Sequence, residues 1–356
     1  MRSFPFVRAR RRARAGAVAA LVFAALGLSA TAAHADPAIP ALTDGYGLTQ
    51  VGTPAGTPGN FVVTVNTPQV SGPQNIRIVL PTDYFTAPTK HYPVFYLLHG
   101  APDDPVNMTP DVLPALNGRD SMITVMPDGG ERGWYSNWVN QNTAAGAQNW
   151  RNFHLDQVIP FIDANLRTIP TKQGRAIGGI SMGGFGALRY VQDNPHLFRD
   201  VATFSGLLNM ELVIARGAVA ASATNIGHVL LQSCGGPCFP DFGPIVPANA
   251  ILGQLFLPFL GPPANILAIN PTSNMRKTEG VHVSLYTGTG SLELAAEPSA
   301  NAAKASLDHL GYPYHFVNYG NGAGFGDGSC DGGHNRFCWN QALLDHLPRL
   351  ELAFSS

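Results

Sequence analysis

The chain alternates short apolar, β-forming runs with stretches of helical periodicity. Runs 61–66 and 76–80 read as an opening hairpin, with Pro68, Ser71, Gly72 and Pro73 as turn residues between them. The run 93–98 is apolar almost throughout and stops at His99-Gly100, the pattern of a strand buried on both faces. The run 123–126 repeats it and stops at Pro127-Asp128-Gly129. Residues 153–165 carry apolar side chains at 155, 158, 159, 161 and 162, close to helical spacing. Beyond them the pattern predicts strand 175–180, helix 184–193, strands 201–204 and 282–286, helix 299–310 and strand 315–319. Strands alternating with helices imply an α/β fold, a mostly parallel sheet with helices on both faces.

Two segments depart from that rhythm. Residues 207–270 hold many Gly and Pro, two cysteines and an apolar run at 250–260, and read as an insertion before the acid-bearing strand. The apolar run is too short and too punctuated to cross a membrane. The first 35 residues read as a signal peptide: Arg2, Arg8, Arg10, Arg11, Arg12 and Arg14 precede an apolar stretch, and Ala33-His34-Ala35 offers a small-x-small cleavage site. The expected mature protein is one catalytic domain, 36–356, secreted or cell-wall associated, with no stable membrane span.

Composition narrows the classes further. Only 13% of the residues are charged and 22 basic residues face 23 acidic ones, so nothing in the balance favours nucleic acid. Outside the cytoplasm, Cys234, Cys238, Cys330 and Cys338 are expected to form two disulfides, local pairing being the simplest connectivity. No neighbouring histidine completes a familiar zinc pattern, and no metal or other cofactor is expected.

The sharpest chemical signal is Gly179-Ile180-Ser181-Met182-Gly183, a G-x-S-x-G between a predicted strand and a predicted helix. That is the context of a nucleophile elbow, where a serine occupies a strained turn and its close neighbours must lack a Cβ. A serine nucleophile needs a base, and the base an orienting acid, in the chain order Ser, Asp/Glu, His. Of the later histidines, His309 and His346 fall on helices and His282 and His315 in strands, whereas His334 lies in a Gly-rich loop after the last strand. Glu293 follows strand 282–286 and its turn, with Glu297 the second choice; Asp327 and Asp331 share the histidine's loop and suit turn formation. Backbone N–H groups of Ala101 and Met182 are the expected oxyanion donors.

These stretches resemble a family. Tyr92 through Gly100, Val125-Met-Pro-Asp-Gly-Gly130 with Trp134-Tyr-Ser-Asn-Trp138, the elbow from Ile177 to Gly184, and Gly333-His334 with Trp339 are similar to the esterase D/mycolyltransferase (antigen 85) group of α/β-hydrolases. The resemblance runs from about residue 60 to 206 and again from about 281 to 347, and the insertion does not match clearly. It implies an α/β-hydrolase fold and a Ser–Glu–His triad on Ser181, Glu293 and His334. In relatives of this spacing a Leu-Glu pair precedes a helix ending in Leu-Gly, as Leu292-Glu293 precedes Leu310-Gly311 here, which favours Glu293 over Glu297. Two departures weigh against sugar-acceptor chemistry: His99-Gly100-Ala101-Pro102 stands where the trehalose-using enzymes have Asp-Gly-Leu-Arg, and Gly-Gly-His334-Asn-Arg where they have Gly-Thr-His-Ser-Trp.

The expected activity is hydrolysis of carboxylic esters of a lipid or an acylated carbohydrate through an acyl-enzyme on Ser181. An acyltransferase to a sugar or glycerol hydroxyl is the nearest rival, and a non-catalytic secreted adhesin the rival of another class. The apolar run at 251–260 reads equally as a lid or as buried core, and Trp134 and Trp138 as pocket lining or core.

Overall fold

A computed structural model describes Met1 and residues 37–224, 246–253 and 264–356. The expected signal peptide, Cys234, Cys238 and most of the apolar run at 250–260 lie outside the described residues.

The strands are β1 (Thr49–Gln50), β2 (Ala55–Thr57), β3 (Asn60–Asn66), β4 (Gln74–Val79), β5 (Val94–Leu98), β6 (Ile123–Pro127), β7 (Arg175–Ile180), β8 (Asp200–Phe204), β9 (His282–Thr287) and β10 (Tyr314–Asn318). They form one sheet in the order β1-β3-β4-β6-β5-β7-β8-β9-β10, with β2 on the edge of β3. β3 and β4 pair antiparallel, Phe61 opposite Ile78, as the predicted hairpin requires. β4 also runs antiparallel to β6. From β6 to β10 every neighbouring pair is parallel.

Burial follows from that topology. β3 alternates buried and half-buried residues, whereas β5, β6, β7 and β8 are buried along their whole length. Parallel strands covered on both faces have no polar side to present, which is why their sequences are continuous apolar runs. Successive side chains of β7 and β8 enter opposite cores. Ile177 and Val201 pack with Phe153, Phe161, Phe185 and Tyr190, and Ala176 and Ala202 with Phe95, Phe204, Tyr286 and Leu343.

Helices cover both faces. α1 (Thr109–Leu116) has no counterpart among the predicted elements, its apolar period being interrupted by Pro110 and Pro114. Helix α2 runs through Trp150–Asn152, a π-helical stretch Phe153–Val158, and Ile159–Asn165. α3 (Met182–Asp193) starts two residues before its predicted boundary, directly after Ser181. α4 (Val213–Ala223) opens the insertion, whose other described helices are the short Asn249–Leu252 and Ala264–Ile269. α5 (Ala296–Leu310) ends at Gly311 in the left-handed conformation, a common helix stop. α6 (Arg336–Ser355) closes the chain. Residues Pro37–Ser356 form one compact unit. Among the described residues no helix is long and apolar enough to cross a membrane.

Candidate active site

Parallel α/β sheets gather their loops at the carboxyl ends of the strands, and the candidate residues lie on those loops. β7 ends at Ile180 and α3 begins at Met182, so Ser181 alone makes the turn. Its backbone has φ 52° and ψ −111°, a conformation that side-chain-bearing residues rarely adopt. Its N–H donates to the Phe204 carbonyl of β8 at 2.9 Å, and its carbonyl accepts from Gly184 N–H at 3.0 Å. The glycines of the motif have steric reasons. A Cβ on Gly179 would collide with the Gly183 carbonyl, and one on Gly183 with the Leu98 and His99 carbonyls. The helix start therefore rests directly against the loop after β5.

His334 and Glu293 meet Ser181 from β10 and β9. His334 Nε2 lies 2.8 Å from Ser181 Oγ, and His334 Nδ1 lies 3.1 Å from Glu293 Oε1. Thr287, the last residue of β9, donates its hydroxyl to Glu293 Oε2 at 3.0 Å. Glu293 is 1% exposed, so both carboxylate oxygens depend on partners inside the protein. The two loops are stitched by backbone: Gly290 N–H donates to the Gly332 carbonyl at 2.8 Å, and His334 N–H to the Ser291 carbonyl at 3.0 Å. Leu292, at φ 65°, gives the turn that sends Glu293 inward.

The other candidates are engaged elsewhere. Glu297 takes the Asn301 side-chain amide at 2.6 Å. Asp327 and Asp331 serve their own loop, Asp327 accepting from Ser329 N–H and Asp331 from Gly333 N–H. That bond and the Asn335 amide hold the Asp331 carboxyl below its ordinary range. His282 pairs with Asp200 and His315 with Asp345, while His346 is buried.

The Cys330–Cys338 disulfide spans the histidine, tying its loop to the first turn of α6. Asn335 caps that helix, its side chain accepting from the backbone N–H groups of Phe337 and Cys338. Trp339, one turn on, sets its ring perpendicular to the imidazole with centroids 5.1 Å apart.

Met182 follows the serine directly and opens α3. Gly100 approaches so closely that a Cβ there would stand 3.4 Å from Ser181 Cβ, and Ala101 is the next residue. The preceding His99 is buried, and sequence reasoning assigned it no role. Its Nε2 accepts from Gly129 N–H at 2.8 Å, which leaves Nδ1 to donate to the Gly100 carbonyl at 2.8 Å. Tyr135 Oη donates to the His99 carbonyl at 3.0 Å. Thr287 has no sequence signal, while Tyr135 and Trp339 lie in the stretches that carry the resemblance without a role of their own.

Trp134 and Trp138 are core residues. The Trp134 indole donates to Ser222 Oγ, and the Trp138 indole to the Gly133 carbonyl. Trp138 also borders a cavity of about 350 Å³ lined by Asp103, Asp104, Asp128, Glu131 and Arg132. Ile251 and Leu252 are buried, which makes the start of the apolar run core. Among the described residues no three His, Cys, Asp or Glu side chains converge as a metal site.

A family model described as "Putative esterase" matches residues 68–350. Esterase Rv1288 of Mycobacterium tuberculosis is 39% identical over 166 residues, which cover 46% of this chain and 36% of that protein. The diacylglycerol acyltransferase/mycolyltransferase Ag85C of Mycobacterium leprae is 33% identical over 91 residues, 25% of this chain and 27% of that protein. The chain thus spans about a third of the length of these curated relatives. The crystal structure of Mycobacterium tuberculosis MPT51 superposes with a TM-score of 0.60 at 18% identity, over 82% of this chain and 97% of that one. At that identity the likeness is one of fold, and the fold is that of the α/β-hydrolases.

Proposed function

From the premise that the chain belongs to the esterase family, we propose that it is a secreted serine carboxylic-ester hydrolase working through an acyl-enzyme. The observation that carries the reading is the hydrogen-bonded relay Ser181–His334–Glu293, with steps of 2.8 and 3.1 Å. His334 Nε2 takes the Ser181 proton as Oγ attacks the ester carbonyl carbon. Negative charge moves to the carbonyl oxygen, where the Ala101 and Met182 N–H groups receive it. Glu293 stabilises the imidazolium and keeps its ring in place. The tetrahedral intermediate collapses, the C–O bond to the alcohol breaks, and His334 hands its proton to the leaving oxygen. Water then repeats the cycle with His334 as base and releases the acid. No step calls for a metal or an organic cofactor. The basic and apolar leader ending near Ala35 supports export, and acyl esters of lipids or carbohydrates are the substrates in view.

A second reading changes only the acceptor. The similarity to a relative described as a diacylglycerol acyltransferase/mycolyltransferase favours passing the acyl group to a sugar or glycerol hydroxyl. One experiment addresses both. Protein from Asp36 onward is given p-nitrophenyl esters of two to sixteen carbons, and a fluorophosphonate label, beside Ser181→Ala. Hydrolysis predicts turnover and labelling that both vanish in Ser181→Ala, a loss of about 10³-fold or more. Labelling with turnover only when an acceptor alcohol is added selects the transferase. Neither labelling nor turnover in folded protein overturns the assignment and leaves the adhesin.

A further inference from the structure

On the β5 and β6 side of the sheet a cavity mixes Asp103, Asp128, Glu131 and Arg132 with Trp138 and Trp150, and none of Ser181, Glu293 or His334 lines it. On the β9 and β10 side, large apolar residues stand in water. Leu292 and Leu294, the two neighbours of Glu293, are 52% and 69% exposed, and Phe337, three residues after His334, is 51% exposed. Single exposed apolar residues need no explanation. Three that bracket the His334–Glu293 pair do, and Leu292 adds a second oddity. It holds φ 65°, a conformation that favours Gly or Asn, while its side chain buries little against the protein. The backbone there turns Glu293 inward, but the exposed side chain adds little to that turn, and its position beside the bond to the His334 backbone points to the substrate.

Chemistry says which part of the substrate. His334 Nε2 must deliver its proton to the leaving oxygen, so the alcohol departs on the histidine's side of the scissile bond. Resting on the proposed ester chemistry, we infer that Leu292 and Leu294 are specificity residues that receive an aliphatic alcohol portion of the ester, with Phe337 completing the surface. The same surface receives the acceptor if the acyl group is transferred.

The test uses two ester series with the full chain and a pH-stat: acetates of methyl to octyl alcohol, and methyl esters of acetic to octanoic acid. Leu292→Asn keeps a residue that tolerates the left-handed conformation, and Leu294→Gln keeps the length. Each is expected to lower kcat/KM for octyl acetate by roughly threefold to tenfold, the worth of a partly buried leucine contact. In Leu294→Gln, methyl acetate and the acyl series should change by less than about twofold. In Leu292→Asn, whose turn also orients Glu293, the loss should be at least about threefold greater for octyl acetate than for methyl acetate. An equal fall across all esters in both variants, or a loss that grows with acyl length, overturns the assignment. Failure of the unaltered chain to turn over methyl acetate would sink the ester reading itself, which a failure confined to the variants would not.

Discussion

Glu293 is sealed from water, and a buried carboxylate is tolerable only where each oxygen has a donor. Its Oε1 faces His334 and its Oε2 takes the Thr287 hydroxyl. Thr287 touches neither the serine nor any substrate, so it is a positioning residue. Thr287→Val keeps the shape and removes the hydroxyl, leaving a buried acceptor unsatisfied at a cost of about 1–3 kcal/mol. Part of that cost should appear in the geometry of the relay. The expected result is a fall in kcat of about tenfold with KM little changed, and recovery in Thr287→Ser, which restores the donor. Equal kcat in Thr287→Val and the unaltered enzyme, measured on a short-chain ester, would remove Thr287 from the relay.

At the scale of elements, the weak point is the long Gly-rich loop that carries His334. It is fixed by three devices: the backbone bonds to the 288–292 turn, the Asn335 cap, and the disulfide between Cys330 and Cys338. A bridge closing so short a loop restricts the unfolded chain by about 2–3 kcal/mol. For a domain of this size Cys330→Ala/Cys338→Ala should lower Tm by roughly 3–5 °C. It should also lower kcat well below Tm, because the bridge holds the segment that presents the imidazole; a Tm shift with unchanged kcat would confine the bridge to stability. The same loops mark where sequence reading stops. The strand runs around Leu98, Ile180 and Phe204 were legible because strands buried on both faces leave no polar pattern to misread. Ser181 was legible because its glycines answer to local sterics. The acid was legible as a preference for Glu293 over Glu297, four residues on, from its place after the strand and the resemblance; the turn at Leu292, φ 65°, that sets Glu293 inward left no mark in the sequence. His99 was hidden because its partners Gly129 and Tyr135 come from distant segments, and Thr287 because a threonine at a strand end carries no mark that its hydroxyl meets Glu293 six residues on. α1 escaped because Pro110 and Pro114 break the period by which helices are recognised.

For the molecule as a whole, each face of the sheet buries a histidine that burial holds in the neutral form. His154 sits among Trp150, Phe153, Tyr135 and Tyr190, and desolvation pulls its pKa down to about 4. His346 sits among Phe95, Phe204 and Tyr286 on the other face, where desolvation pulls its pKa down to about 3. A histidine whose folded pKa lies below its unfolded value binds its proton first in the unfolded chain. Its contribution is therefore fully present above pH 6.5 and is lost as pH falls from there towards the folded value. Between pH 8 and pH 5 each of the two should withdraw roughly 2 kcal/mol, a large fraction of the 5–15 kcal/mol that holds a typical protein. The two are not alike in what replaces them. His154 Nε2 donates to the Asp128 carbonyl and its Nδ1 accepts from Tyr190 Oη, so replacing it breaks a network. Among the described residues His346 Nδ1 is buried without a hydrogen-bond partner, so an aromatic ring there costs little. His346→Phe should match the unaltered protein within about 1 kcal/mol at pH 8, and then pull ahead as the pH drops, leading by roughly 2 kcal/mol at pH 5. Thermal unfolding from pH 8 to pH 5 reads this directly. Parallel curves for the two proteins would mean that His346 takes up its proton equally easily folded and unfolded, and that acid weakens the fold elsewhere.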